Sequence, residues 1–222
     1  METYLNHTES KNGGDAKKGE LARKKILWAA RLIFARQPYH AASLRMIAKE
    51  GGFDHPLIRY YFPTKADLFK AVVAEVVEEF SEAHFRWIKG LDLFPPSKAL
   101  PQLIARIVDY HYENPEGMNI IMQNISQMGR LSSIPGYEML PDLLMKMRGN
   151  FRLKIPLSGP EAEIEQFYSS LFVTVVLYLG ASSTTAQFLG LDSSDSGYRG
   201  WVKDSLVFQF LPWMARLALP SF

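Results

Sequence analysis

The chain of 222 residues contains no cysteine. This absence excludes a disulfide framework, a cysteine-ligated zinc finger and a cysteine nucleophile, and it leaves no reason to propose secretion. The signature of a signal peptide is missing too, because residues 1–20 are polar and rich in glycine, asparagine and lysine. The most apolar run, residues 171–181, is too short to span a bilayer and indicates a buried helix. We therefore expect a soluble, cytoplasmic protein with no membrane partner.

Motifs of catalysis and metal binding are also absent. The sequence has no phosphate-binding P-loop, no glycine-rich dinucleotide turn, no nucleophile-elbow pentapeptide and no His-Glu-x-x-His pair. The five histidines are too scattered to suggest a coordination shell: His7, His40, His55, His84 and His111. We predict no enzyme, no cofactor, no metal site and no catalytic residue. A catalytic site assembled from distant segments stays an open alternative.

The small net charge of +2 hides an asymmetry along the chain. Residues 1–65 hold twelve lysines and arginines against six acidic residues, a net charge of +6. Residues 66–222 hold thirteen against seventeen, a net charge of −4. A basic N-terminal third is what phosphate binding predicts. Chance scatter of charge is the alternative explanation.

The stretch 43–65 contains several helix-boundary residues around a tight glycine turn. Ser43 is a good N-cap for a short helix over 44–50, because its hydroxyl can accept a free amide hydrogen of the first turn. Gly51 and Gly52 then end this helix, since glycine adopts a left-handed conformation at no steric cost.

A second short helix follows, with Asp54 as its predicted N-cap and Pro56 in its first turn, where no intrahelical N–H is needed. Thr64 and Asp67 form a capping-box pattern of the weaker aspartate type, which starts a third and much longer helix. Two short helices joined by a glycine turn predict a helix-turn-helix.

The side chains of this unit indicate what it binds. An apolar seam is expected across the turn from Leu44, Ile47, Ala48, Ile58 and Phe62. Outward positions on the second helix fall to His55, Leu57, Arg59 and Tyr61, with Lys65 just beyond. A short helix with such a surface fits the major groove of DNA, where arginine hydrogen-bonds guanine edges. The free N–H groups at the start of the third helix offer a seat for phosphate.

The rest of the chain is typical of helices interrupted by proline and glycine, with no strand-like alternation and no internal repeat. We predict an all-α protein of about nine helices. A flexible arm covers 1–19, a three-helix DNA-binding domain covers 20–66, and an effector-binding and dimerisation domain covers 67–222, with a helix over about 66–90 linking the two. The other helices are predicted over about 20–36, 98–113, 116–127, 135–153, 161–189 and 198–219.

Apolar stripes on the last two long helices suggest a contact between subunits. The stripe on the final helix is Leu206, Phe210, Trp213 and Leu217. The stripe on the helix before it is Ile164, Phe167, Tyr168, Leu171, Phe172 and Val175. Two such helices from each subunit would form a four-helix bundle and place two recognition helices one DNA turn apart. The alternative is that both stripes form the core of a monomer.

Methionine is concentrated in the middle of the chain. Six of the nine methionines lie within thirty residues: Met118, Met122, Met128, Met139, Met145 and Met147. Methionine is flexible and polarizable, and it is common on surfaces that accept apolar ligands. Our candidate ligand-binding residues are Phe85, Trp87, Tyr110, Met118, Met122 and Phe172. An irregular apolar core is the alternative interpretation.

The stretch from about 21 to 77 resembles the DNA-binding domain of the TetR family of transcriptional regulators. The residues that carry the resemblance are Phe34, Ser43, Ile47, Ala48, Gly52, Phe53, Asp54, Tyr60, Tyr61, Phe62, Lys65 and Leu68. Two features depart from the family pattern: the run 37–40 replaces a turn glycine, and Arg59 stands where the family most often has tyrosine. The resemblance implies a homodimer through the last two long helices and an effector site in the C-terminal domain.

Mapped residue by residue, the resemblance implies DNA contacts from Ser43, Arg45, His55, Pro56, Leu57, Arg59, Tyr60, Tyr61 and Lys65. Arg45 and Arg59 are assigned to base readout. His55 is assigned to bases or phosphates, and Tyr61 and Lys65 to phosphates.

The function that the resemblance implies is regulation of transcription, most commonly repression. Such a dimer binds an inverted-repeat operator in double-stranded DNA and is released by a small, largely apolar effector. Three alternatives stay open: a small-molecule binding or sequestering protein without sequence-specific DNA binding, an enzyme with its site in the C-terminal domain, and a non-specific DNA-binding protein.

Overall fold

The computed structural model describes residues 8–125, 134–155 and 157–218. Over these residues the chain forms ten α-helices, two short 3-10 helices and no strand, which confirms the predicted all-α fold. The α-helices are α1 Thr8–Arg36, α2 Leu44–Gly51, α3 His55–Tyr61, α4 Lys65–Ile88, α5 Pro96–Glu113, α6 Pro115–Ile125, α7 Leu140–Lys154, α8 Glu161–Gly180, α9 Ser182–Phe188 and α10 Ser196–Leu217. The 3-10 helices are Leu91–Leu93 and Tyr137–Met139.

The boundaries of α2 and the start of α4 follow from local hydrogen bonds. The N–H of Met46 donates to the hydroxyl of Ser43 at 3.3 Å, and Gly52, with φ of 63°, takes the left-handed conformation that ends α2. Thr64 and Asp67 form a reciprocal capping box, with N···O distances of 3.1 and 3.0 Å. These boundary predictions are confirmed.

The N-cap residue of α3 is Asp54, as predicted, but the side-chain hydrogen bond of a cap is missing. Asp54 occupies the N-cap position with an extended backbone, but its side chain accepts no capping hydrogen bond. Pro56, the second residue of the helix, has no N–H to donate. The N–H of Leu57 donates instead to the main-chain carbonyl of Asp54 at 3.0 Å. The completely buried Ile58 therefore anchors α3 by packing.

Helix α1 begins at Thr8 rather than near residue 20. Residues 8–19, which we predicted as part of a flexible arm, are therefore helical, and residues 1–7 of that arm lie outside the described residues. Extending an existing helix adds one hydrogen bond for each residue that is fixed, so it costs less than starting a new one. Within residues 17–36, burial starts at Ile26, which is where α1 enters the core.

The helix predicted over 161–189 is wrong, because the chain bends by 83° between α8 and α9. Gly180, at the end of α8, packs so closely on α6 that a Cβ there would lie 2.6 Å from the Cβ of Met122. The hydroxyl of Tyr198 donates to the carbonyl of Tyr178 at 2.7 Å and ties this end of α8 to α10. No single described helix is long and apolar enough to cross a membrane; the bent α8–α9 pair passes that test jointly, by length and composition alone.

Helix α7 begins at Leu140 rather than near residue 135. Gly136 has a φ of 86°, and the 3-10 helix Tyr137–Met139 intervenes before α7 starts. A side chain at Gly136 would come within 2.9 Å of the Cβ of Val73 on α4, so the tight packing also requires glycine. The predicted end of α6 near residue 127, and Met128, lie outside the described residues.

Helix α6 joins the N-terminal helices to the remainder of the fold. It packs against α1 on one side and α8 on the other. Arg31 of α1 makes a two-pronged ion pair with Glu79 of α4, with both N···O distances at 2.6 Å. The same guanidinium lies 3.9 Å from the carboxylate of Glu116 on α6. Three helices are thus tied together at one arginine.

The stripes that we predicted as a subunit interface are mostly core. Buried side chains on α10 include Leu206, Phe210 and Leu217. Those on α8 include Ile164, Phe167, Leu171 and Val175. Helix α10 packs against both α5 and α8, which turns these stripes into the subunit itself. Trp213 stays exposed, whereas Tyr168 and Phe172 are half-buried.

Candidate nucleic-acid interface and apolar cavity

Helix α3 has one buried side and one exposed side. Ile58 and, just after the helix, Phe62 are buried against the other helices. The exposed positions are Pro56, Leu57, Arg59 and Tyr60, and Tyr60 is 81% exposed. Arg45 on α2 is exposed as well. The structure therefore leaves both arginines that we assigned to base readout accessible.

Three other predicted DNA contacts, Ser43, His55 and Tyr61, are half-buried. The hydroxyl of Ser43 already accepts the capping hydrogen bond of α2. The ring of Tyr61 stands edge-on to that of Tyr60, with centroids 4.9 Å apart. Its hydroxyl lies 3.5 Å from where a Cβ at Gly19 would be, so Tyr61 also contacts α1.

Lys65 has internal partners that sequence reasoning missed. Its ammonium donates to the carbonyls of Tyr39 and Ala42 at 2.8 and 2.9 Å. It also lies 4.5 Å from the centre of the Tyr39 ring, and burial lowers the pKa of this ammonium. Lys65 thereby braces the loop between α1 and α2, the run that departs from the family pattern. Its predicted phosphate contact stays a prediction, with one N–H still to donate.

Other cations lie on or near the same surface. Lys49, in the last turn of α2, is exposed. The guanidinium of Arg23 lies 5.1 Å from the ring centre of Phe62, and the ammonium of Lys25 lies 5.8 Å from that of Phe53. Exposed arginine and lysine around α3 create the positive surface that DNA phosphates require.

A separate apolar cavity of about 200 Å³ lies among α4, α5, α6, α7 and α8. Its lining includes Phe80, His84, Trp87, Leu103, Met118, Ile121, Ile125, Leu143, Met147, Tyr168, Leu171 and Phe172. No aspartate, glutamate, lysine or arginine occurs among the described residues that line it. Such a cavity accommodates an apolar molecule, and a charged one would lose its hydration without gaining a partner.

The structure brings together three of the six candidate ligand-binding residues: Trp87, Met118 and Phe172. The other three do not line the cavity. Phe85 is exposed and borders a different hollow with Lys146. Tyr110 packs against a lining residue instead, with its ring centroid 5.3 Å from that of Trp87. Met122 packs against Gly180 instead. The direction in which each side chain leaves its helix separates the two groups.

His84 is a polar lining residue that sequence reasoning did not propose for the ligand site. It is 4% exposed, and its Nε2 has no hydrogen-bond partner among the described residues. Burial lowers the pKa of the His84 ring to about 4, so the ring is neutral at pH 7. The spacing of Phe80, His84 and Trp87, four and three residues apart, places all three on one face of α4. That spacing is the feature of the sequence from which His84 could have been predicted to lie beside Trp87.

Comparison with known proteins connects the helix-turn-helix to one family. The model of bacterial regulatory proteins of the tetR family matches residues 26–72, from the buried half of α1 into α4. This stretch of the chain therefore has the sequence of a TetR-family DNA-binding domain. This confirms the resemblance, and the family is one of transcriptional regulators rather than enzymes. In the part of the chain that the structure describes, no group of three or more histidine, aspartate or glutamate side chains could hold a metal ion.

Two curated relatives extend the comparison beyond the helix-turn-helix. The transcriptional repressor NicS of Pseudomonas putida is 30% identical over 118 residues, which cover 53% of this chain and 55% of that repressor. The transcriptional regulator BetI of Vibrio atlanticus is 22% identical over 143 residues, covering 60% of this chain and 70% of BetI. The chain therefore spans about half of the length of NicS.

Solved structures share the whole TetR-family fold. A tetR-family regulator from Streptomyces coelicolor matches 90% of this chain and 82% of its own, with a TM-score of 0.63 at 19% identity. A TetR-family regulator from Bordetella parapertussis covers 90% of this chain and 98% of its own, with a TM-score of 0.63 at 15% identity. At these identities the likeness concerns the fold.

Proposed function

We propose that this chain is a homodimeric, sequence-specific DNA-binding regulator of transcription. The observation that carries the proposal is the surface of α3, where Leu57, Arg59 and Tyr60 are exposed opposite the buried Ile58. A TetR-family helix held in this way presents its polar edge to the major groove. Arg45 and Lys49 on α2 lie beside it and supply further base or phosphate contacts.

The second subunit binds through the outer faces of α8 and α10. Neither residues 166–180 nor residues 205–215 contain a charged side chain. The exposed side chains there include Val173 and Leu177 on α8 and Phe208 on α10, the last 82% exposed. Apolar surface of this kind on two adjacent helices favours burial in a four-helix bundle with a second copy. The proposed interface thus uses the two helices that we predicted. It uses their exposed faces, however, and not the apolar stripes that we predicted for it.

The apolar cavity is the effector site, and an occupied cavity lowers affinity for the operator. Met118, Ile121 and Ile125 of α6 line the cavity, while the same helix packs against α1. An effector that binds better to one arrangement of α6 shifts the population toward that arrangement. Loss of DNA on effector binding would make the protein a repressor.

The experiment is a selection of random duplex DNA with the purified full chain at about 150 mM salt, where surface charge is already well screened. We expect recovery of an inverted repeat. Steep salt dependence without a recovered motif would indicate non-specific DNA binding. Failure to bind DNA at all would favour the second candidate, a protein that binds or sequesters small molecules in its cavity.

A further inference from the structure

The surface of the cavity among α4, α5, α6, α7 and α8 consists almost entirely of apolar atoms. Most of the described lining residues are aliphatic, aromatic or methionine, and none of them is charged. Ile125 and Pro141, which are exposed residues of the lining, are apolar too. A ligand therefore meets apolar surface both inside the cavity and where the cavity reaches solvent.

The few polar groups of the lining do not change this character. The Nε2 atom of His84 exposes almost no surface, so a molecule in the cavity does not reach it. The indole N–H of Trp87 and the hydroxyl of Tyr168 contribute so little that the surface stays almost entirely apolar. A hydroxyl, amine or carboxylate on the ligand would therefore lose its hydration without gaining a hydrogen-bond partner.

The size of the cavity and the aromatic residues around it limit the ligand further. Its volume of about 200 Å³ is somewhat larger than that of an engineered apolar cavity of roughly 150 Å³ that binds benzene. Aromatic rings in the lining come from Phe80, Trp87, Phe151, Tyr168 and Phe172. Such rings favour an aromatic ligand, because ring pairs gain more than their buried area alone. One aromatic ring with a short alkyl chain fits this space.

We propose that the cavity binds a neutral hydrocarbon that has no hydrogen-bonding group and is about the size of an alkylbenzene. This narrows the apolar effector to one chemical class. The action of the hydrocarbon as an effector rests on the proposed function. Its binding does not, because binding can be measured without DNA.

The test uses three probes that share a propylphenyl body: propylbenzene, 4-propylphenol and 4-propylbenzoate. Their binding to the purified full chain is measured by calorimetry. We expect propylbenzene to bind roughly tenfold more tightly than 4-propylphenol, because the buried hydroxyl of the phenol finds no partner. We expect 4-propylbenzoate to bind most weakly, because burial of an unpaired charge costs more than burial of a hydroxyl.

Two substitutions of methionine by glutamine on α6 test whether the probes bind in this cavity. Met118 lines the cavity, so Met118→Gln places an amide of similar shape in its wall. This variant should bind 4-propylphenol at least as tightly as propylbenzene. Met122→Gln is the matched control, because Met122 packs against Gly180 and does not line the cavity. The control should keep the preference for propylbenzene, and circular dichroism checks that both variants fold.

Equal binding of the three probes to the wild-type chain would overturn the proposal. So would tighter binding of 4-propylphenol or 4-propylbenzoate than of propylbenzene, or no binding of any probe. A preference for propylbenzene that stays unchanged in Met118→Gln would also overturn it, because the probes would then bind elsewhere. If Met118→Gln does not fold, the three probes on the wild-type chain decide. Propylbenzene that binds but leaves the affinity for selected DNA unchanged would contradict the effector function and leave the site intact.

Discussion

The backbone N–H of Tyr39 donates to Oδ1 of Asn124 at 2.7 Å, across 85 positions of the chain. Tyr39 lies in the loop between α1 and α2, and Asn124 lies near the end of α6. The amide group of Asn124, completely buried, also donates to the carbonyl of Ile120 at 2.9 Å. The hydroxyl of Tyr137 donates to the same carbonyl at 2.6 Å. One helix thus contacts the cavity and the helix-turn-helix together.

Replacing Asn124 by leucine should lower the free energy of unfolding by about 1–3 kcal/mol, because a buried amide network loses its acceptor for Tyr39. Urea denaturation measures this change. Asn119→Ala, on the same helix at a half-buried position, is the control and should cost less. Equal free energies of unfolding for the two variants would show that the hydrogen bond between Tyr39 and Asn124 does not stabilise the fold.

Replacing Arg59 by alanine should weaken binding to the selected operator by about 1–3 kcal/mol and relax preference at one base pair, if its guanidinium pairs with a guanine. Competition binding across operator variants tests this. Lys98→Ala is the control, because this exposed lysine lies on α5 at the end of α4 distant from α3. Unchanged affinity and preference in Arg59→Ala would remove Arg59 from base readout.

Replacing Lys65 by methionine should lower the free energy of unfolding by about 1–3 kcal/mol, because the carbonyls of Tyr39 and Ala42 lose their donor. If the ammonium serves only these carbonyls, the salt dependence of DNA binding stays the same. A phosphate contact predicts a different result, a salt slope reduced by about one. Lys49→Met, at an exposed position of α2, serves as the comparison and should leave stability unchanged.

Replacing Phe208 by glutamate should convert the dimer into a monomer, because charge would enter an interface without a partner. Sedimentation velocity measures the change. Phe85→Glu is the matched control, since Phe85 is also exposed but lies on α4. A dimer that survives Phe208→Glu and dissociates with Phe85→Glu would place the interface elsewhere.

Acidification should destabilise the chain through its two buried histidines. Burial lowers the pKa of both His84 and His111 from 6.5 to about 4. Between these values the unfolded chain binds more protons than the folded one, so the free energy of unfolding falls as the pH falls. From about pH 7 to pH 5 each histidine should cost about 2 kcal/mol.

Urea denaturation at several pH values tests this dependence. The chain with both histidines replaced by phenylalanine is the comparison, because it keeps the carboxylates that also titrate in acid. Its free energy of unfolding should fall less steeply between about pH 7 and pH 5. Parallel curves for the two chains would contradict the assignment of neutral, buried histidines.

The sequence by itself determined the features that depend on a few neighbouring residues. The cap at Ser43, the left-handed Gly52 and the capping box at Thr64 are formed within single turns, so their residue types suffice to predict them. The long helix α4 was predictable for a related reason, because its apolar residues, which are buried in the structure, repeat at helical spacing. Asp54 takes the N-cap position of α3, but the N–H of Leu57 donates to its main-chain carbonyl and not to its side chain.

Only the tertiary structure decided which helix packs against each apolar face. A stripe such as that of α10 has the same period whether α5 or a second subunit covers it, and here α5 and α8 cover it. The partners of Lys65 and Asn124, and the unpaired nitrogen of His84, involve groups far apart along the chain. Helical periodicity gives the face of a residue but not its neighbour, so these contacts exist only once the helices have packed.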